Sequence, residues 1–206
     1  YYIGGWCIGG TIAFEIARQL EQAGEEIGAL SLIDTSPPHQ DTFVGLEEYT
    51  LESELNWVLD YLPDHRIKDE LATFEKLDQL WPAIVDYLEN SGLDLESMKE
   101  AVPENMAEAI PNIQQANAKE LIYYLNVIRS IANARDAYLP AGKINSAIHF
   151  FNAEGEPIPF VERWQNHTLL PLNIYNVKGK HVSVLSEPYV EPLARLFNDK
   201  VLNSSI

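Results

Sequence analysis

Cysteine and positive charge are both scarce in this chain. A single cysteine, Cys7, stands among 206 residues. That excludes an internal disulfide and a cysteine-based zinc site, and it suits a reducing cytoplasm. No metal site is expected. Lysine and arginine number 14 against 31 aspartate and glutamate, a formal net charge of −17, which argues against nucleic acid or an anionic membrane as partner. No run of about 18 apolar residues occurs, so no membrane span is predicted. Tyr1 already reads as part of a core strand, and no signal peptide is expected. What is present suffices for a fold: at 46% hydrophobic, the chain can bury one sizeable core with an appended subdomain.

The rest of the chain is organised around Tyr1-Tyr2-Ile3-Gly4-Gly5-Trp6-Cys7-Ile8-Gly9-Gly10, which runs into Thr11-Ile12-Ala13-Phe14-Glu15-Ile16-Ala17. An apolar run, a turn of small residues around one nucleophilic atom and an amphipathic helix make the layout of a nucleophile elbow, here G-x-C-x-G where serine is usual. The nucleophile would occupy a strained strand-to-helix turn. Side chains two residues to either side, at Gly5 and Gly9, are expected to collide as strand and helix converge. The thiol would then sit at the positive end of the helix, where the thiolate is favoured. The plainer alternative is a glycine-rich turn holding a small buried cysteine.

Downstream, residues 11–23 read as a helix closed by Ala23-Gly24. Residues 27–33 form a short apolar run, as in a parallel strand covered on both faces. Strand, helix and strand in about 33 residues is the size of one right-handed crossover. Asp34 ends the second strand at the same edge as Cys7, and in open α/β sheets that edge is where sites form. From 41 to 140 the character changes, with 20 Asp/Glu against 7 Lys/Arg and helical spacing in Leu51, Leu55, Val58 and Leu62 and in Leu71, Phe74, Leu77 and Leu80. Pro82 is expected to interrupt the second stripe, and a long helix is predicted over about 112–137. The division is therefore an α/β core at 1–40 and 141–206 with a helical lid insertion at 41–140 covering the site edge. The sheet resumes at 144–151, followed by a short helix with Trp164 near 160–166, a last strand at 172–177 and a closing helix over about 188–201.

His181 follows that last strand. A thiol, a carboxylate and an imidazole thus leave the ends of three strands in the order Cys7, Asp34, His181, the chain order of α/β-hydrolases. His181 would take and return protons, Asp34 would hold its tautomer, and the backbone N–H of Ile8 would face the oxyanion. Other candidates are weaker. His149 reads as a core histidine, His39 and His65 as solvated, and His167 as nearer the site without ending a strand. Glu154 and Glu156 follow the strand where other α/β-hydrolases place their acid, but they rank below Asp34.

Gly5-Trp6-Cys7-Ile8-Gly9-Gly10, Ala13-Phe14-Glu15, Ala17-Arg18-Gln19-Leu20, Gly24-Glu25-Glu26 and Leu32-Ile33-Asp34 together resemble the type I thioesterase domains of nonribosomal peptide synthetases and polyketide synthase hybrids. The usual form there is G-W-S-x-G-G-x-I-A-F-E-x-A-x-Q-L, then L-I-D. The likeness continues in Tyr138-Leu139-Pro140 and Gly142-Lys143-Ile144, and in Gly179-Lys180-His181, similar to that family's G-x-H. The resemblance implies an α/β-hydrolase fold with a lid and the triad Cys7, Asp34 and His181. It also implies a cytoplasmic enzyme with no cofactor of its own. Its substrate would be an acyl or peptidyl chain on the 4'-phosphopantetheine of a carrier domain, released by hydrolysis or cyclisation.

Two departures stand out. Cys7 replaces serine, so the acyl-enzyme would be a thioester, and a release step harder than hydrolysis, such as macrocyclisation, is expected. The chain also opens at the elbow strand, where that family carries several earlier strands and a loop completing the oxyanion hole; either the sequence is a piece of a longer product, or part of the sheet and the second oxyanion donor are missing. Lys143, Lys178 and Lys180 are read as lying near the site edge, where they could receive the pantetheine phosphate. Rival readings are a stand-alone editing thioesterase, a cysteine-dependent hydrolase of the dienelactone kind, and a non-catalytic acyl-binding module.

Overall fold

The computed structural model describes residues 1–38 and 112–203 throughout and, between them, residues 51–52, 55–56, 69, 73–74, 77–90, 95–102, 107 and 110. The chain divides into two compact units, Tyr1–Asp41 with Tyr138–Ile206, and Thr42–Ala137. Its strands are β1 (Tyr2–Trp6), β2 (Ala29–Ile33), β3 (Ile148–Ala153) and β4 (Asn173–Val177). The helices whose full extent lies among the described residues are α1 (Ile8–Gln22), α2 (Leu77–Asn90), α3 (Leu95–Ala101), α4 (Ala118–Ala137) and α5 (Val190–Phe197).

In the first unit the strands form one parallel sheet in the order β1-β2-β3-β4. Alternation along each strand sorts its side chains between two cores. Leu30, Leu32, Ile148 and Phe150 meet Phe14 and Ala17 of α1 and Trp164 on one face. Ala29, Phe151 and Val177 meet Leu193 and Val201 on the other. This is why β2, read as an almost wholly apolar run, is buried along nearly its whole length. Each large aliphatic or aromatic side chain withdrawn from water in this way contributes about 1.5–3 kcal/mol. Register then places the site: Trp6 lies opposite Ile33 and Ile33 opposite Phe151, so the residues after these strands leave the sheet side by side.

Several expectations are corrected. Tyr1 and Tyr2, read as core-strand residues, are exposed, because β1 lies at an edge of the described sheet. The third strand starts at Ile148 instead of Ile144, which makes only an isolated bridge to Thr168. Side chains occupy the backbone groups a longer ladder would use: Asn145 N–H donates to the Glu21 carboxylate at 2.6 Å, and the Thr168 hydroxyl donates to the Ser146 carbonyl at 3.0 Å. The segment with Trp164 is a 3₁₀ helix, Val161–His167, and the closing helix passes from α5 into a π turn, Asn198–Leu202.

The second unit has its own core of Leu80, Trp81, Ile84, Val102, Ile110, Leu121, Ile122 and Leu125, with Leu51, Leu55 and Phe74 packed on it. Pro82 does not end its helix but lies inside α2. As the sixth residue of α2 it lies beyond the first turn, so its missing N–H leaves the Asp78 carbonyl without its helical donor, and the burial of Leu80, Trp81 and Ile84 around it holds the helix together. The long helix expected over 112–137 is divided. A 3₁₀ turn, Ile113–Gln115, ends in extended Ala116, and Asn117 then starts α4 through a reciprocal capping box. Its side-chain oxygen accepts the Glu120 N–H at 2.9 Å, and the Glu120 carboxylate accepts the Asn117 N–H at 3.0 Å. His39, Trp57, Val58, Leu62, His65 and Leu71 lie outside the described residues.

Candidate active site

Cys7 is the only residue between β1 and α1, and its backbone is held at φ 54 and ψ −130. That region is sparsely populated for a residue with a side chain, and the surrounding hydrogen bonds maintain it. Cys7 N–H donates to the Ile33 carbonyl at 3.0 Å, and the Cys7 carbonyl accepts the Gly10 N–H at 3.0 Å. The glycine requirement differs from the one expected. A Cβ on Gly5 would overlap the Gly9 carbonyl and the Gly10 nitrogen, and one on Gly10 would overlap the Thr35 side chain. A Cβ on Gly9 would meet no atom within 4 Å. Crowding thus acts at Gly5 and Gly10, not symmetrically about the cysteine. Ile8 opens the helix, so its N–H has no intrahelical acceptor.

Asp34 is fully buried, at a positive φ of 49. Its backbone N–H donates to Phe151 C=O at 2.8 Å. One carboxylate oxygen accepts the Ala153 N–H at 2.9 Å, and the other is 2.6 Å from His181 Nδ1. The end of β3 therefore orients an acid that leaves the end of β2. Glu154 and Glu156, the lower-ranked alternatives, are exposed. The His181 pKa is pushed up to about 10, first by the hydrogen bond to Asp34, next by a side-chain hydrogen bond with Cys7, and against the opposing effect of burial. Thiol, imidazole and carboxylate thus form one hydrogen-bonded chain, with the imidazole cationic at neutral pH.

The loop carrying His181 is fixed at both sides. Gly179 adopts φ +112, and its carbonyl accepts the Gly155 N–H at 2.9 Å. The Lys180 N–H donates to Ser183 Oγ at 2.9 Å. Trp6, not among the expected site residues, donates its indole N–H to the His181 carbonyl at 3.0 Å, and its ring centroid lies 5.1 Å from that of the imidazole. Its signals in the sequence are its place beside the nucleophile and its match to the tryptophan of the G-W-S form.

The other candidates separate. His149 is buried with Nδ1 3.1 Å from the Tyr175 hydroxyl. His167 is held where the chain approaches β3: Ile144 N–H donates to its carbonyl at 3.0 Å, and its ring packs against Phe14 and Trp164. Burial first, then Lys143, pushes its pKa down. Lys143 accordingly lies where the chain enters β3 at its amino end, whereas Lys178 and Lys180 leave β4 at the carboxyl end with His181. The expected cluster of three lysines is therefore two lysines and an outlier, since the approach 144–147 and the 6 residues of β3 separate Lys143 from the carboxyl end of the sheet. Among the described residues, no three His, Cys, Asp or Glu side chains gather as a metal site, and no helix is long and apolar enough to cross a membrane.

A parallel sheet with a strained turn bearing a thiol after one strand, and a carboxylate and an imidazole after two others, is the arrangement of an α/β-hydrolase. The likenesses to known proteins narrow this. The chain belongs to the thioesterase-domain family, whose model matches residues 1–201. An atromentin synthetase of Tapinella panuoides is 25% identical over 212 residues, covering 98% of this chain and 20% of that protein. The chain thus spans about a fifth of the length of the curated relatives it matches. The RedJ thioesterase of the prodiginine pathway in Streptomyces coelicolor shares the fold at a TM-score of 0.59 and 16% identity, over 100% of this chain and 63% of its own. A four domain nonribosomal peptide synthetase bound to AMP and glycine does so at 0.58 and 23%, over 97% and 14%. The chain is an enzyme of the thioester-hydrolysing kind.

Proposed function

We propose that the chain takes an acyl or peptidyl group from the phosphopantetheine thioester of a carrier domain onto Cys7 and then releases it. The observation that carries this reading is the hydrogen-bonded series Cys7, His181 and Asp34 at the elbow. The imidazolium beside Cys7 favours the thiolate, the form that attacks. Cys7 Sγ adds to the thioester carbonyl, and the Ile8 N–H receives the negative oxygen. Collapse breaks the carbonyl–sulfur bond to pantetheine, whose thiolate takes the proton of His181. The now neutral imidazole removes a proton from water, or from a nucleophile within the chain, as that group attacks the acyl-Cys7 thioester. Cys7 then leaves as thiolate and the imidazolium is restored. Asp34 holds Nδ1 throughout and stabilises the cation.

Both thioesters are of similar energy, so transfer onto Cys7 is close to reversible, which suits a demanding release such as macrocyclisation. Residues 41–140 are read as a helical lid insertion. Lys178 and Lys180, in a chain of net charge −17, are read as a docking point for the pantetheine phosphate. The cytoplasm is the expected setting. The test is intact-protein mass spectrometry after mixing with an acyl-pantetheine thioester, beside Cys7→Ala and Cys7→Ser. A mass gain of one acyl group on the parent and none on Cys7→Ala is expected. No gain on the parent sinks the catalytic reading and leaves a binding module. If Cys7→Ser releases the same product at the parental rate, the argument that the thioester intermediate serves a harder release step fails.

A further inference from the structure

Trp6 closes β1, one position before Cys7, and reaches the segment of His181 by two separate contacts. The first is the hydrogen bond from indole N–H to the His181 carbonyl at 3.0 Å, which fixes the backbone from which the imidazole projects. The second is the indole ring against the imidazole, 5.1 Å between centroids at an interplanar angle of 30°. The imidazole is hydrogen-bonded to Asp34 at Nδ1 and to the Cys7 side chain. Hydrogen bonds at the ring edge leave the ring free to turn about the line joining them, and a packed aromatic surface removes that freedom. His181 follows Gly179, whose positive φ marks a turn, so the contacts of Trp6 add to the backbone bonds that fix this loop.

We infer that Trp6 is a positioning residue for His181, holding the imidazole between Cys7 and Asp34 and favouring its cationic form through the face of the indole. The inference rests on the proposed acylation of Cys7. Hydrogen bond and ring contact act on different parts of the same residue, so substitutions can separate them. Among the described residues, the charged and titratable groups around the imidazole are the Asp34 carboxylate from the end of β2, the Cys7 thiol from the end of β1 and Lys180 beside it in the chain. The indole is the aromatic partner among these, and cations within about 6 Å of such a ring are attracted to it. Trp6 keeps 36% of its surface in water, so replacing it opens no core cavity.

The test compares the full chain with Trp6→Phe and Trp6→Leu. Two rates are read: acylation by an acyl-pantetheine thioester at saturating concentration, and alkylation of Cys7 by iodoacetate as a function of pH. The anionic reagent is drawn by the imidazolium, so its rate falls on the alkaline side where His181 loses its proton. Trp6→Phe keeps a ring and loses the N–H. Its maximal acylation rate is expected to fall roughly 3–10-fold, with the half-saturating concentration within about twofold of the parent and the alkaline limb in place. Trp6→Leu loses both contacts. A fall of roughly 10–50-fold is expected, with the alkaline limb moved to lower pH by about half a unit, because a cation deprived of the ring gives up its proton sooner. Parental rates in both variants, or a Trp6→Leu protein that only melts earlier while its rate and alkaline limb stay parental, would overturn the inference. Should Trp6→Leu fail to fold, Trp6→Phe still decides through its maximal rate. If the parent is alkylated at Cys7 but never acylated, the functional reading is lost, and the iodoacetate profiles still decide whether Trp6 governs the pair.

Discussion

Replacing Asp34 by asparagine probes the centre of the site with little change of shape. The side chain is fully buried and divides its two oxygens between Ala153 N–H and His181 Nδ1. Asparagine can still accept from Ala153, but its amide then turns two donors toward Nδ1. The imidazole must offer Nδ1 as acceptor, which moves its proton to the nitrogen needed by Cys7. In the parent the pKa of His181 rises from 6.5 to about 10, with Asp34 the largest cause. At about 1.4 kcal/mol per unit, that rise is about 5 kcal/mol in favour of the cation. The imidazole keeps 26% of its side-chain surface in water, so screening reduces the electrostatic share to roughly half, about 2–3 kcal/mol. Acylation of Cys7 at pH 7 is therefore expected to fall roughly 30–150-fold from charge alone, and further from the wrong tautomer, with about 10⁴ as the ceiling known for serine triads. The pH dependence carries a sign. A histidine whose folded pKa is raised stabilises the fold fully below its unfolded value and loses that contribution as pH climbs through the folded one. Between about pH 6.5 and 10 the parent should lose melting temperature, and Asp34→Asn should lose less. Mass-spectrometric acylation kinetics at pH 7 and thermal melts across that window measure both effects. An Asp34→Asn protein that acylates at the parental rate, with a parental slope of stability against pH, refutes the reasoning.

The remaining predictions concern the turn and the approach to it. Gly10→Ala should destabilise the fold by about 1–3 kcal/mol, because its Cβ would overlap Thr35, while Gly9→Ala should cost under about 1 kcal/mol. Thermal denaturation of the two variants decides between crowding at Gly10 and crowding at Gly9. Charge reversal at Lys178 and Lys180 together should raise the half-saturating concentration for carrier-bound substrate by roughly tenfold with the maximal rate kept, whereas Lys143→Glu should change it by less than about twofold. Equal effects from all three lysines in a titration with carrier-bound thioester would contradict the separation of Lys143 from the other two.

Local pattern was legible wherever one residue or one turn dictated the geometry. Gly5-Trp6-Cys7-Ile8 announced a strand that ends in a nucleophile and passes into a helix, and Cys7 does adopt a positive φ between β1 and α1. Apolar Ala29–Ile33 announced a covered parallel strand. Less legible were the positions decided by partners far along the chain. Glu21 and Thr168 take hydrogen bonds from or to Asn145 and Ser146, and this postpones β3. Nothing near residue 145 encodes that competition. The capping box at Asn117 and Glu120 is written in the sequence as N-A-K-E, but it lies inside a longer stretch of helical character that masks the start of α4.

What the sequence by itself determined is the set of groups available for chemistry and the strand ends from which they depart, because strand alternation, glycine and chain order are local properties. Cys7, Asp34 and His181 were all readable in that sense. Only the tertiary structure decided how they meet. Register brings the ends of β1, β2 and β3 into line, the Ala153 N–H turns the Asp34 carboxylate toward His181, and Trp6 packs on an imidazole 175 positions away. The same register sends Lys143 to the far edge, although in sequence it seemed to belong with Lys178 and Lys180. Residues so distant along the chain have no local signature for their separation in space. That separation follows from which strands pair and in what order, and the pairing is set by the burial of both faces of the sheet.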